Sequence, residues 1–264
     1  MHTLKNVKTY TAYMVIYTII GIIFCFLMST IGSSLVFFFK NNFNNKLNNI
    51  FNALSAGIMI SATFFSLILP AINNSQYLGK LSFIPAVVGI FIGALFIVLL
   101  DFLCKKINKN GMQKGTKIFL AVTIHNIPEG LAVGFAFGVA IFSNNIALCF
   151  SALSLAIGIG LQNFPEGLAM TLPLKTMFGS TTKAFGYGVL SALIEAVSSV
   201  IGIFLAYSLS SMLGYILGFA AGAMLFVLIE ELLPEANLGD NNKVGIWCFI
   251  IGFILMMILD LAFA

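Results

Sequence analysis

Ile124-His125-Asn126-Ile127-Pro128-Glu129-Gly130-Leu131-Ala132 and Leu161-Gln162-Asn163-Phe164-Pro165-Glu166-Gly167-Leu168-Ala169 are two versions of one motif. Both sit inside apolar stretches long enough to cross a membrane. In each, a ligand-type side chain (His125 or Gln162) and a glutamate stand four residues apart, so they share one side of a helix. The proline between them has no N–H. It frees the carbonyl of Ile124 or Leu161 and predicts a break in the local hydrogen-bond ladder. Ionisable groups at membrane depth are costly and are seldom kept without a use. A duplicated pair of them marks a site.

The rest of the chain supports the membrane setting. Its 264 residues are 60% hydrophobic and only 8% charged, with a mean hydropathy of +1.05. A soluble domain carries about 25% charged residues. The chain therefore reads as one polytopic transmembrane domain over residues 1–264, with no segment left for a separate soluble domain. All 13 basic residues are lysines, and with 27 phenylalanines this suggests an AT-rich genome and a bacterial source. The net charge of +4 lies in loops and gives no case for a nucleic-acid partner. Cys25, Cys104, Cys149 and Cys248 are far apart and lack C-x-x-C spacing, so neither a disulfide nor a thiolate metal site is expected.

A helix needs about 20 apolar residues to cross the hydrocarbon layer. Eight segments qualify: 12–39, 50–72, 82–104, 117–142, 145–173, 184–209, 212–234 and 244–264. The first is too long for a signal-peptide core of about 7–15 residues and reads as a span. The fold class is thus an all-α membrane protein of eight transmembrane helices. With both termini outside, ten lysines fall on the inner side (Lys40, Lys46, Lys105, Lys106, Lys109, Lys114, Lys117, Lys175, Lys183 and Lys243) and three on the outer (Lys5, Lys8 and Lys80). The positive-inside rule selects that orientation. Glycines at four-residue intervals, Gly130, Gly134 and Gly138 in span 4 and Gly214, Gly218 and Gly222 in span 7, predict close helix packing.

Depth brings the polar residues together. His125 and Glu129 on span 4, Gln162 and Glu166 on span 5, and Glu195 on span 6 all fall about 10–18 Å from the inner boundary at the helical rise per residue. Three carboxylates, one imidazole and several amide oxygens form a cation site. Oxygen with some nitrogen and no sulfur suits first-row divalent metals (Zn, Fe(II), Mn, Co) or Cd. Asn126 and Asn163 offer a second position, with Glu129 and Glu166 shared between the two. Another duplication points the same way. Ala56-Gly57-Ile58-Met59 precedes Leu69-Pro70 in span 2, and Ala221-Gly222-Ala223-Met224 precedes Leu233-Pro234 in span 7. These spans run in opposite directions, which predicts inverted repeats, spans 1–3 and 6–8 around the 4–5 pair, a common basis of alternating access.

These features together resemble the ZIP (zinc–iron permease) family of divalent-metal transporters. The doubled H/Q-N-x-P-E-G motif, the glutamate of the next span and the eight crossings carry the resemblance across the whole chain. It implies a binuclear site: His125, Glu129, Gln162, Glu166 and Glu195 at the main position, and Asn126 and Asn163 with the shared glutamates at the second. It also implies movement of metal into the cytoplasm, a homodimer, and sliding of spans 1, 4, 5 and 6 against spans 2, 3, 7 and 8. The loop Lys105 to Thr116 departs from the family pattern, being lysine-rich without histidine. The expectation is a multi-pass plasma-membrane transporter with zinc as substrate, and iron, manganese or cadmium as alternatives. No cofactor and no enzymatic activity are expected; H-E-x-x-H is absent. The alternative is a proton- or sodium-coupled symporter of an organic solute, using the same carboxylates as a proton relay.

Overall fold

Apolar length and the absence of β-type alternation dictate helices, and helices are what the chain forms. The structure is a computed structural model. It describes the backbone of residues 2–39, 45–107, 114–209, 212–238 and 243–263, and most side chains within them. The side chains of His125, Cys104 and Glu231 lie outside the described residues, as does much of the Lys105 to Thr116 loop. Among the described residues ten α-helices follow in order: α1 (His2–Ser34), α2 (Asn45–Ala62), α3 (Leu69–Asn73), α4 (Ile84–Ile107), α5 (Lys114–Phe142), α6 (Ile146–Phe178), α7 (Thr181–Ser208), α8 (Leu213–Val227), α9 (Leu233–Ala236) and α10 (Lys243–Phe263). No strand occurs among the described residues.

Seven stretches are long and apolar enough to cross a membrane among the described residues: Ala12–Phe37, Asn49–Asn73, Ile84–Leu103, Ile146–Phe178, Thr181–Ser208, Leu213–Ala236 and Lys243–Ala262. The expected fourth span lies on α5, whose apolar described part is the shorter Asn126–Phe142. Helix α6 runs five residues past its expected end at 173. Asn145 starts it, accepting hydrogen bonds from the backbone N–H groups of Ala147 and Leu148, and Gly179 ends it at φ 61°. That left-handed conformation favours glycine at a helix C-terminus.

The expected breaks at Pro128 and Pro165 are not found. Helices α5 and α6 run continuously through both prolines. Each proline removes one N–H, but a wider break would leave more backbone groups unpaired where no water can reach them. The irregular turns sit elsewhere. Thr63–Ile68 joins α2 to α3 and Leu228–Leu232 joins α8 to α9, both as wide π turns. Leu69 N–H donates to the carbonyl of Phe64, and Leu233 N–H to that of Leu228. A proline, Pro70 or Pro234, follows each. The wider turn makes room for a ring that would otherwise strike the preceding turn.

Four helix pairs pack most intimately: α5 with α7, α4 with α8, α1 with α6, and α2 with α10. Exchanging span 1 with 6, 2 with 7, 3 with 8 and 4 with 5 turns this set into itself. Individual glycines obey the same exchange. A Cβ on Gly57 would lie 2.0 Å from the carbonyl oxygen of Phe249, and one on Gly222 would lie 2.0 Å from that of Ile90. Gly252 meets the carbonyl of Leu54 as Gly93 meets that of Phe219. Aligning the two Ala-Gly-x-Met segments superimposes Leu54 on Phe219, and the same register puts Gly93 on Gly252 and Ile90 on Phe249. The glycine stripes are therefore backbone contact points, which is how membrane helices gain attraction without a hydrophobic drive.

Gly57→Ala and Gly222→Ala are expected to destabilise the bundle comparably, by about 1–3 kcal/mol or more each. Gly186→Ala, where a Cβ meets open space, should be silent. Thermal unfolding of the detergent-solubilised protein checks this; equal melting temperatures for all three variants would refute it.

Candidate metal centre

The motif glycines decide where the site forms. A Cβ on Gly130 would sit 2.2 Å from the carbonyl oxygen of Glu195, and one on Gly167 would sit 2.5 Å from that of Ser29. Glycine lets α5 rest against α7 at Glu195 itself, and α6 against α1 at Ser29. The i, i+4 spacing then turns Gln162 and Glu166 to one side of α6, while α5 presents Asn126 and Glu129. Asn126, Glu129, Gln162, Asn163 and Glu195 are all buried, at 4% exposure or less, and Glu166 is half-buried.

These residues are joined by side-chain amides. The Gln162 amide nitrogen donates to Glu129. The Asn163 amide nitrogen reaches both oxygens of Glu195, at 2.9 and 2.7 Å. The Asn126 amide nitrogen donates to the hydroxyl and carbonyl oxygens of Ser191, at 3.0 and 3.2 Å. The carboxylates of Glu166 and Glu195 both lie within electrostatic range of Glu129. Asn126, Asn163 and Glu166 line one small cavity with Ser29, Gly167, Met170 and Ser191. The structure thus brings six of the seven expected residues into one cluster. Glu195 engages Asn163. The seventh, His125, precedes Asn126 on α5, and its side chain is outside the described residues.

What remains unpaired is chemically uniform. Glu129 Oε2, Gln162 Oε1 and Asn163 Oδ1 are buried and accept no hydrogen bond. All three are acceptor oxygens, each on a side chain whose other end is already engaged. Buried acceptors without a donor cost about 1–3 kcal/mol each unless an ion or donor meets them. Clustered acceptor oxygens among carboxylates suit a cation of oxygen-loving or borderline character. Among the described residues no group of three His, Cys, Asp or Glu side chains stands close enough to hold a metal ion. Half of the donor set here is amide, so carboxylates, thiols and imidazoles alone do not make the site.

Two further polar features lie outside the expected set of seven. Ser191 lies four residues before Glu195, a spacing that could have flagged it as a same-face partner. Asp260 is buried and receives hydrogen bonds from Ser154, at 3.0 Å, and from Ser66. It ties α10 to α6 and to the first wide turn.

The model of the ZIP zinc transporter family matches residues 109–260. The chain belongs to the ZIP family. This ZIP chain is 32% identical to "Zinc transporter ZIP11" of Homo sapiens, over 92% of its own length and 96% of the relative's. It is 35% identical to "Zinc transporter GufA" of Myxococcus xanthus, over 75% of its own length and 80% of that protein's. It is 30% identical to "Zinc transporter ZupT" of Streptococcus mutans, over 89% and 94% respectively. Relatives from animals and bacteria alike give no support to the bacterial source expected from composition.

Asn163→Leu removes both hydrogen bonds to Glu195 and one unpaired oxygen at similar volume. Zinc affinity, read by calorimetric titration of the purified protein, should fall about 10–100-fold, the usual cost of losing a ligand's support. Unchanged affinity would detach Asn163 from the site.

Proposed function

We propose that this ZIP protein carries divalent transition metals, zinc first among them and iron, manganese or cadmium as lesser substrates, across the plasma membrane into the cytoplasm. The observation that carries the reading is the buried layer of carboxylate and amide groups with three acceptor oxygens unpaired. The names of the relatives, all zinc transporters, support zinc as the substrate. Two metal positions share the layer in this reading. His125, Glu129, Gln162, Glu166 and Glu195 hold one ion, and Asn126 and Asn163 with the shared Glu129 and Glu166 hold the other. Eight crossings with both ends outside, supported by the lysine distribution, and a homodimer belong to the same proposal.

The residues imply a mechanism. Carboxylates and imidazole replace hydration water around the ion, and neutral amides limit the total negative charge, so binding stays weak enough for release. Ligands must be deprotonated to bind, so metal flux and proton concentration oppose each other. Sliding of α1, α5, α6 and α7 against the other helices would expose the layer first to one side and then to the other. The solute-symport alternative gains nothing from this arrangement, because a proton relay has no need of unpaired amide oxygens.

Uptake into proteoliposomes, tested separately for Zn, Cd, Fe(II), Mn and Mg, decides the matter. Transition-metal flux that Glu166→Gln abolishes is the expected result; absence of flux for every metal would overturn the proposal. His125→Ala should weaken zinc uptake more than manganese uptake, because imidazole favours zinc. An equal loss for both would show that His125 does not touch the metal.

A further inference from the structure

The internal exchange of repeats extends into the site. Superimposing the two motifs places His125 on Gln162, Asn126 on Asn163, Glu129 on Glu166, and Gly130 on Gly167. Gly130 abuts the carbonyl of Glu195 just as Gly167 abuts that of Ser29, so Ser29 of α1 occupies the place that Glu195 occupies in α7. One turn further the match continues. Gly134 abuts the carbonyl of Ser199, and the Thr171 hydroxyl donates to the carbonyl of Ser33, at 3.4 Å. Ser29 and Ser33 thus stand in the same register as Glu195 and Ser199. Ser29 is buried at 5% exposure and lines the cavity shared by Asn126, Asn163, Glu166 and Ser191.

We propose that Ser29 is a further oxygen donor to the transported cation, supplied by α1 to the cavity that Ser191 lines from α7. This rests on the metal-transport reading above. A two-fold site with like residues at both places would carry a fourth carboxylate. The hydroxyl keeps an oxygen there without its charge, so the ion gains a neutral donor on the α1 side and no further carboxylate. Ser29 is then a determinant of both affinity and metal preference, since a neutral oxygen does not favour soft cations.

The test exchanges that oxygen for sulfur at nearly constant volume. Ser29→Cys should tighten cadmium binding relative to manganese by about tenfold, because thiolate selects soft metals. It should also add a cadmium–thiolate charge-transfer absorption above the wild-type baseline, which contains the four native cysteines. Ser29→Ala should weaken zinc binding about tenfold with the melting temperature unchanged. Ser29→Cys protein that folds, keeps Glu166-dependent uptake, and shows neither the added absorption nor the altered cadmium-to-manganese ratio would overturn the role of Ser29 alone. Wild-type protein that binds and transports no metal would overturn the transport reading together with it.

Discussion

Backbone contact through glycine is the constraint on which the centre of this molecule depends. In a bilayer, helices gain little by hiding apolar side chains from one another, so attraction must come from close approach. Gly130 and Gly167 provide that approach one residue after the glutamates of the two motifs. A larger side chain at Gly130 would push α7 outward and carry Glu195 away from Asn163. The glycine of each Pro-Glu-Gly is therefore as much a part of the site as the glutamate. Packing and chemistry share the same three residues.

Amides hold the layer together. Carboxylates alone would repel one another in a medium that screens charge poorly. Gln162 and Asn163 spend their N–H groups on a neighbouring carboxylate and leave a buried oxygen unpaired, and Asn126 donates to Ser191. One side-chain type thus supplies donors to the protein and, in the proposed site, acceptors to a cation.

Much of this was legible in the chain. The doubled motif fixed which helices carry the polar layer, and the Ala-Gly-x-Met duplication foretold an exchange that glycine contacts later matched residue by residue. The prolines misled. A missing N–H reads as a broken ladder, yet α5 and α6 continue through Pro128 and Pro165. The irregular turns lie instead before Pro70 and Pro234, and a proline by itself does not tell which helix will widen. Ser29 was invisible, because a serine in an apolar helix carries no signal of its own, and Ser191 was marked only by its four-residue spacing from Glu195. Only the register between helices gives these two a role.

The wide turn at Thr63–Ile68 shifts the phase of its helix. An α-helix advances about 100° per residue, so one extra residue within a turn rotates everything beyond it by that angle. Asn52, whose amide donates to Glu235 at 2.9 Å, lies before the turn, and Ser66, which bonds Asp260, lies within it. Deleting one residue from this turn would leave the composition of the span almost untouched. It would still swing its far end by more than a quarter of a revolution and turn Pro70 and Asn74 out of the cavity they line with α5, α6 and α8.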